Sequence, residues 1–198
     1  VLTYLKSMGP AKELSLLRLS MKVLMLILLI SGHRCQSMHF LHIADMVMKR
    51  DSCAFQVTEN LKHSRGNAPA THIQLMGYPQ DRRLCPVTYL RAYLQRTSKL
   101  RQSQYLFVTS VPPYNRVTTA TLARWTKTIL HAAGIDTTIF SAHSTRAASA
   151  SAAASKGVPI DAILKQGCWK QESTFTQWYR KPITMNNSIS YQDAILDS

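Results

Sequence analysis

Carboxylates are scarce in this sequence. Its 198 residues hold ten Asp and Glu against 24 Lys and Arg, for a formal net charge of +14. With so few acids and no cluster of them, the chain offers no carboxylate cage for a metal ion. Cysteine is sparse as well. Cys35, Cys53, Cys85 and Cys168 form no CxxC and stand at no zinc-ligand spacing from a histidine pair. A disulfide framework is out of keeping with this size and density, so reduced thiols in an intracellular protein are expected. Long apolar runs are also missing. The longest, residues 23–30 (VLMLILLI), is too short to span a bilayer and begins too far into the chain for a signal peptide. Arg18 and Lys22 lie just before it. A helix apolar on all sides belongs in a core. No internal repeat or linker is visible, which leaves one domain.

What remains is a basic chain that can pack. An apolar fraction of 45% supports a sizeable core. The charge attracts polyanions, nucleic acid first and an anionic membrane surface second. Residues 1–13 read as a loose lead-in with a turn at Gly9-Pro10. A long helix is predicted over 14–30, stopped by Ser31-Gly32, and a short one over 34–41. Strands are predicted over 46–48, 53–58 and 72–76, the last alternating polar and apolar. The basic stretch 62–69 (KHSRGNAP) joins the second strand to the third. Further helices are expected over 86–96, with Pro86 in its first turn, and from 118 or 119 to 131, with Gly134 past its end. A short apolar strand or extended segment over 105–108 falls between them. The last predicted helices cover 144–156, 159–166 (stopped by Gly167) and 172–179. Residues 183–198 read as a polar tail. The fold class is mainly α with a small three-stranded antiparallel sheet.

The stretch 140–182 carries the chemistry. It opens on His143-Ser-Thr-Arg146, passes through an Ala/Ser helix, and closes on Trp169, Trp178 and Tyr179. Positions three apart share a helix face, so His143 and Arg146 can address one anionic oxygen. Arginine suits bidentate phosphate contact, and histidine moves protons near neutral pH. Taken alone, a capping histidine and a surface arginine explain the tetrapeptide better. Arg34 alone reads equally well as a helix C-terminal cation, and Lys62 as one of several loop charges beside Arg65.

In order, however, "LILLISGHRCQS", "LKHSRGN", "AHSTR", "QGCWK" and "FTQWYRKP" resemble the catalytic domains of the tyrosine recombinases, the phage-integrase-like DNA strand exchangers. The likeness runs over residues 14–182. Details such as "STF" and "RKP" are most similar to recombinases of eukaryotic mobile elements. The resemblance implies a DNA breaking-and-rejoining fold and a catalytic set of Arg34, Lys62, His143, Arg146, Trp169 and Tyr179. Tyr179 would be the nucleophile, Lys62 the general acid, His143 a proton handler or phosphate ligand, and Trp169 a packing and N–H donor group. No metal or cofactor is implied, because the arginines take the metal's place. The implied partner is double-stranded DNA, bound as a homotetramer through the C-terminal tail, with no membrane or small-molecule cofactor. A nuclear location follows if the host is eukaryotic.

Three departures stand out. Ser37 occupies the place where the family often has an acid. Trp169 and Tyr179 are ten residues apart, one more than is common. No N-terminal core-binding domain is recognisable. The alternatives are a DNA-binding relic that no longer cuts and a type IB topoisomerase-like enzyme. Tyr191, beyond Pro182 in the polar tail, is the weaker candidate nucleophile.

Overall fold

The apolar run at 23–30 lies at the centre of the molecule. A computed structural model of the chain describes residues 1–57, 71–167 and 190–196. In it helix α2 (Leu16–Ser31) is buried from Leu19 onward. Ser15 starts it, its side chain accepting from the Arg18 N–H at 3.3 Å. Gly32 ends it with φ +63, a left-handed turn that glycine adopts without strain. Leu24, Leu26, Ile27 and Leu28 are fully buried, each stabilising the fold by about 1.5–3 kcal/mol. Helices α4 (Pro86–Thr97), α5 (Thr119–Ala132) and α6 (Ser144–Ser155) pack around α2. The other described helices are α1 (Leu2–Ser7), α3 (Cys35–Met38), α7 (Ile160–Gly167) and α8 (Tyr191–Leu196).

The sheet is antiparallel in the order β1 (Met46–Met48), β2 (Ser52–Val57), β3 (Thr71–Met76). Met46 lies opposite Phe55, and Ser52 opposite Met76. Period-two alternation turns Cys53, Phe55, Ile73 and Leu75 into the core and leaves Gln56, His72 and Gln74 outside. The fold class expected from the sequence is therefore the one observed.

Four local expectations change. The lead-in is not loose. Residues 2–7 form α1, whose Leu5 is fully buried. The segment 105–108 makes single bridges, His42 to Tyr105 and Val108 to Arg116, and no strand. Gly167 is the last residue of α7 and not the stop after it. The tail holds a helix, α8, capped by Ser190. That hydroxyl accepts from the Asp193 N–H at 3.1 Å and donates to its carboxylate at 2.6 Å. Tyr191, Ala194, Ile195 and Leu196 are buried. Helix α8 packs on α2, α6 and α7 of its own chain, and the Gln192 amide pairs with both the N–H and the C=O of Met76.

Lys22 is fully buried within α2. Its ammonium lies 3.9 Å over the Tyr89 ring and 3.4 Å from the Gly9 carbonyl. Burial holds its pKa down to about 8, against the pull of Asp81. Cys35, Cys53 and Cys85 are thiols, and burial pushes Cys53 up to about 12.

Candidate active site

Three of the six expected residues lie among the described ones, and they come together. Arg34, His143 and Arg146 all line one cavity of about 590 Å³. Arg34 is the N-cap of α3, placed two residues beyond the Gly32 turn, and its side chain is exposed. His143 is the N-cap of α6. Its backbone N–H is held by the Ser141 hydroxyl at 3.2 Å, and the residue is exposed. Partial desolvation, then the charges of Arg34 and Arg146, lower the His143 pKa. The ring is therefore biased toward the neutral form that can accept a proton. Lys62, Trp169 and Tyr179 lie outside the described residues.

Arg146 is placed differently from the surface arginine that the tetrapeptide alone suggests. It is only 5% exposed. Its Nη1 donates to the Gly32 carbonyl and to the Gly167 carbonyl, each at 2.6 Å. These carbonyls end α2 and α7, the elements that lead into Arg34 and toward Trp169. One guanidinium thus ties both approaches together. A second tie runs beside it, where the Gln166 amide donates to the Ile30 carbonyl at 3.1 Å. The small side chains of α6 allow this closeness. Ala150 and Ala153 are fully buried between α6 and its neighbours α2, α7 and α8.

Sequence reasoning missed His33 at this site and gave Tyr191 a place in a tail without helical pattern. His33 is buried beside Arg34, with Nδ1 2.9 Å from the Ser31 carbonyl. Burial, then Arg146 and Arg34, depress its pKa to about 4. It is neutral near pH 7, and since a carbonyl only accepts, Nδ1 carries the proton. Its signal was position alone, directly before Arg34. Tyr191 donates to the Ser149 hydroxyl at 3.0 Å and packs on Gly32, where an added Cβ would sit 2.9 Å from its hydroxyl oxygen. The Ser-x-x-Asp capping pattern at 190–193 marks its helix in the sequence. Ser37 is buried as well, where the family often carries an acid. Among the described residues no group of three His, Cys, Asp or Glu could hold a metal. Among them, too, no helix is long and apolar enough to cross a membrane.

This architecture is that of tyrosine recombinase catalytic domains: a buried central helix delivering an arginine, an H-x-x-R helix against its end, and a three-stranded sheet at one edge. The chain belongs to the Phage integrase family, whose model matches residues 6–184. Its fold is similar to that of the XerH site-specific recombinase bound to a difH substrate before cleavage, with TM-score 0.67 and 14% identity over 91% of this chain and 48% of that one. The XerA recombinase matches with TM-score 0.66 and 19% identity, over 91% of this chain and 56% of its own. FLP recombinase in complex with a Holliday junction matches with TM-score 0.56 and 16% identity, over 92% and 46%. The chain thus spans about half the length of these solved recombinases. No curated protein matches the sequence.

Proposed function

We propose that this chain is the catalytic domain of a DNA recombinase that cleaves and rejoins strands through a 3′-phosphotyrosyl link. The observation that carries the reading is the convergence of Arg34, His143 and Arg146 on one cavity. Family membership and the DNA-bound neighbours support DNA as the partner. Arg34 and Arg146 would hold the non-bridging oxygens, where charge grows in the transition state. The Tyr179 hydroxyl attacks phosphorus and passes its proton to His143. The bond from phosphorus to the 5′ oxygen breaks, and Lys62 protonates that leaving oxygen, which departs as a 5′ hydroxyl. Trp169 would donate its indole N–H to the phosphate. The ester keeps the bond's energy, so rejoining runs these steps backward without ATP or metal.

The test uses nicked suicide duplexes, randomised in sequence around the nick, with wild type and Tyr179→Phe. Covalent protein–DNA adduct from the wild type alone supports the mechanism. Adduct from neither, with DNA still bound, identifies the non-cutting relic. On DNA the domain would act as a homotetramer, with α8 leaving its own chain for a neighbour. Sedimentation showing only monomers on paired duplexes overturns that assembly. The "STF" and "RKP" neighbours of Tyr179 support a eukaryotic mobile element as source and the nucleus as location. Cytoplasmic retention of a tagged chain in eukaryotic cells would count against it.

A further inference from the structure

We propose that the cavity beside Arg34 and His143 receives a nucleobase, unstacked from the strand whose phosphate that pair holds. This rests on the DNA-strand reading above and adds to it a binding slot beside the phosphate.

The cavity lining mixes two unlike kinds of group. Arg34, His143 and Arg146 bring cationic or protonatable nitrogens to it, with hydroxyls from Ser144, Thr145 and Ser151. Leu29 from α2, Leu130 and Ile135 at and just past the end of α5, and Ala148 from α6 bring apolar surface. Phe140, on the loop that leads to His143, also lines it. A nucleotide has the matching shape and chemistry, a flat apolar ring joined through a sugar to an anion. A volume of about 590 Å³ holds one nucleoside with room to spare, within the usual size of ligand sites. It does not admit a stacked duplex, so an entering base must leave its stack. Enzymes acting on a strand use this extrusion when a pocket replaces the lost stacking.

The loop itself points the same way. Phe140, which lines the cavity, is 47% exposed, and its chain neighbour Ile139 is 71% exposed. Two such residues together in a basic cleft form a platform for a base face. Every base has such a face, so the slot tolerates sequence. It supplies position and not base identity.

The experiment titrates the full chain with 2-aminopurine deoxyribonucleoside 5′-monophosphate, read by fluorescence, and with 2-deoxyribose 5-phosphate as competitor. The nucleotide is expected to bind roughly tenfold or more tightly than the sugar phosphate. Phe140→Ser and Ala148→Leu should each erase that margin and leave sugar-phosphate binding unchanged. Both positions are at the surface, so both variants fold, as a thermal melt will verify. Arg34→Gln should weaken both ligands alike. Equal affinity for the two ligands in the wild type, or a margin that survives Ala148→Leu, overturns the slot. If Arg34→Gln changes neither ligand, the phosphate site itself is refuted, and with it the reading beneath the slot.

Discussion

Arg146→Ala should destabilise the protein in the absence of any DNA. The Arg146 side chain is 5% exposed, and its Nη1 satisfies two carbonyls at 2.6 Å, Gly32 and Gly167. Hydrogen bonds to a charged group contribute about 1.5–3 kcal/mol each, and truncation leaves both acceptors buried without this donor. The expected loss is therefore about 3–6 kcal/mol. For a chain of this size that lowers Tm by roughly 6–24 °C. Lysine retains the charge but not the fork, so Arg146→Lys should keep one bond at most and lose about half as much. The assay is urea unfolding followed by far-UV circular dichroism at pH 7, with no nucleic acid present. Disappearance of the cooperative transition is the same outcome at its limit. If Arg146→Ala unfolds within about 1 kcal/mol of wild type, the two carbonyl bonds do not hold the site together. The reasoning from burial to stability then fails. If it holds, inactivity of Arg146 variants reports lost architecture as much as lost phosphate contact.

Lys22 predicts a pH dependence. Its pKa is about 8 in the folded chain and 10.5 when exposed, so between those values only the unfolded state carries the proton and stability rises with pH. At pH 7 the buried charge costs about 3 kcal/mol. The stability of wild type minus that of Lys22→Met should climb by about that amount between roughly pH 7.5 and 10.5 in urea titrations; a flat difference refutes it. Gly32→Ala should cost about 1–3 kcal/mol, because φ is +63 and the new Cβ would sit 2.9 Å from the Tyr191 hydroxyl oxygen. In a Tyr191→Phe background the cost should shrink by at least about 0.5 kcal/mol, and strict additivity would show that the two do not touch.

The legible parts of this fold are those written locally. Helix α2 announces itself by an unbroken apolar run and the Ser31-Gly32 stop. The sheet shows in its period of two, and Thr118 and Gly134 bracket α5 within one or two residues. Helix α1 escaped notice because six residues with one fully buried leucine carry almost no periodic signal. Helix α8 escaped for a different reason. Its composition is that of a tail, and what holds it is the seat on α2, α6 and α7. At the site, the H-x-x-R spacing made it clear that His143 and Arg146 lie near one another. It did not reveal that Arg146 is buried. The carbonyls that bury it lie 114 and 21 residues away in sequence, and no local pattern encodes such a meeting.

Those carbonyls have an electrostatic consequence. Each closes a helix at the end where peptide dipoles sum to roughly half a negative charge. Two such ends face a single guanidinium, and together they offset about one positive charge. Arg146 therefore acts in part as an internal counter-ion to α2 and α7. His143 is biased toward neutrality. Among the described residues of the cavity, the cation that a phosphate meets from solvent is then Arg34. The net charge of +14 draws a polyanion from a distance, Arg34 meets the phosphate at the cavity, and Arg146 sets the shape into which it settles.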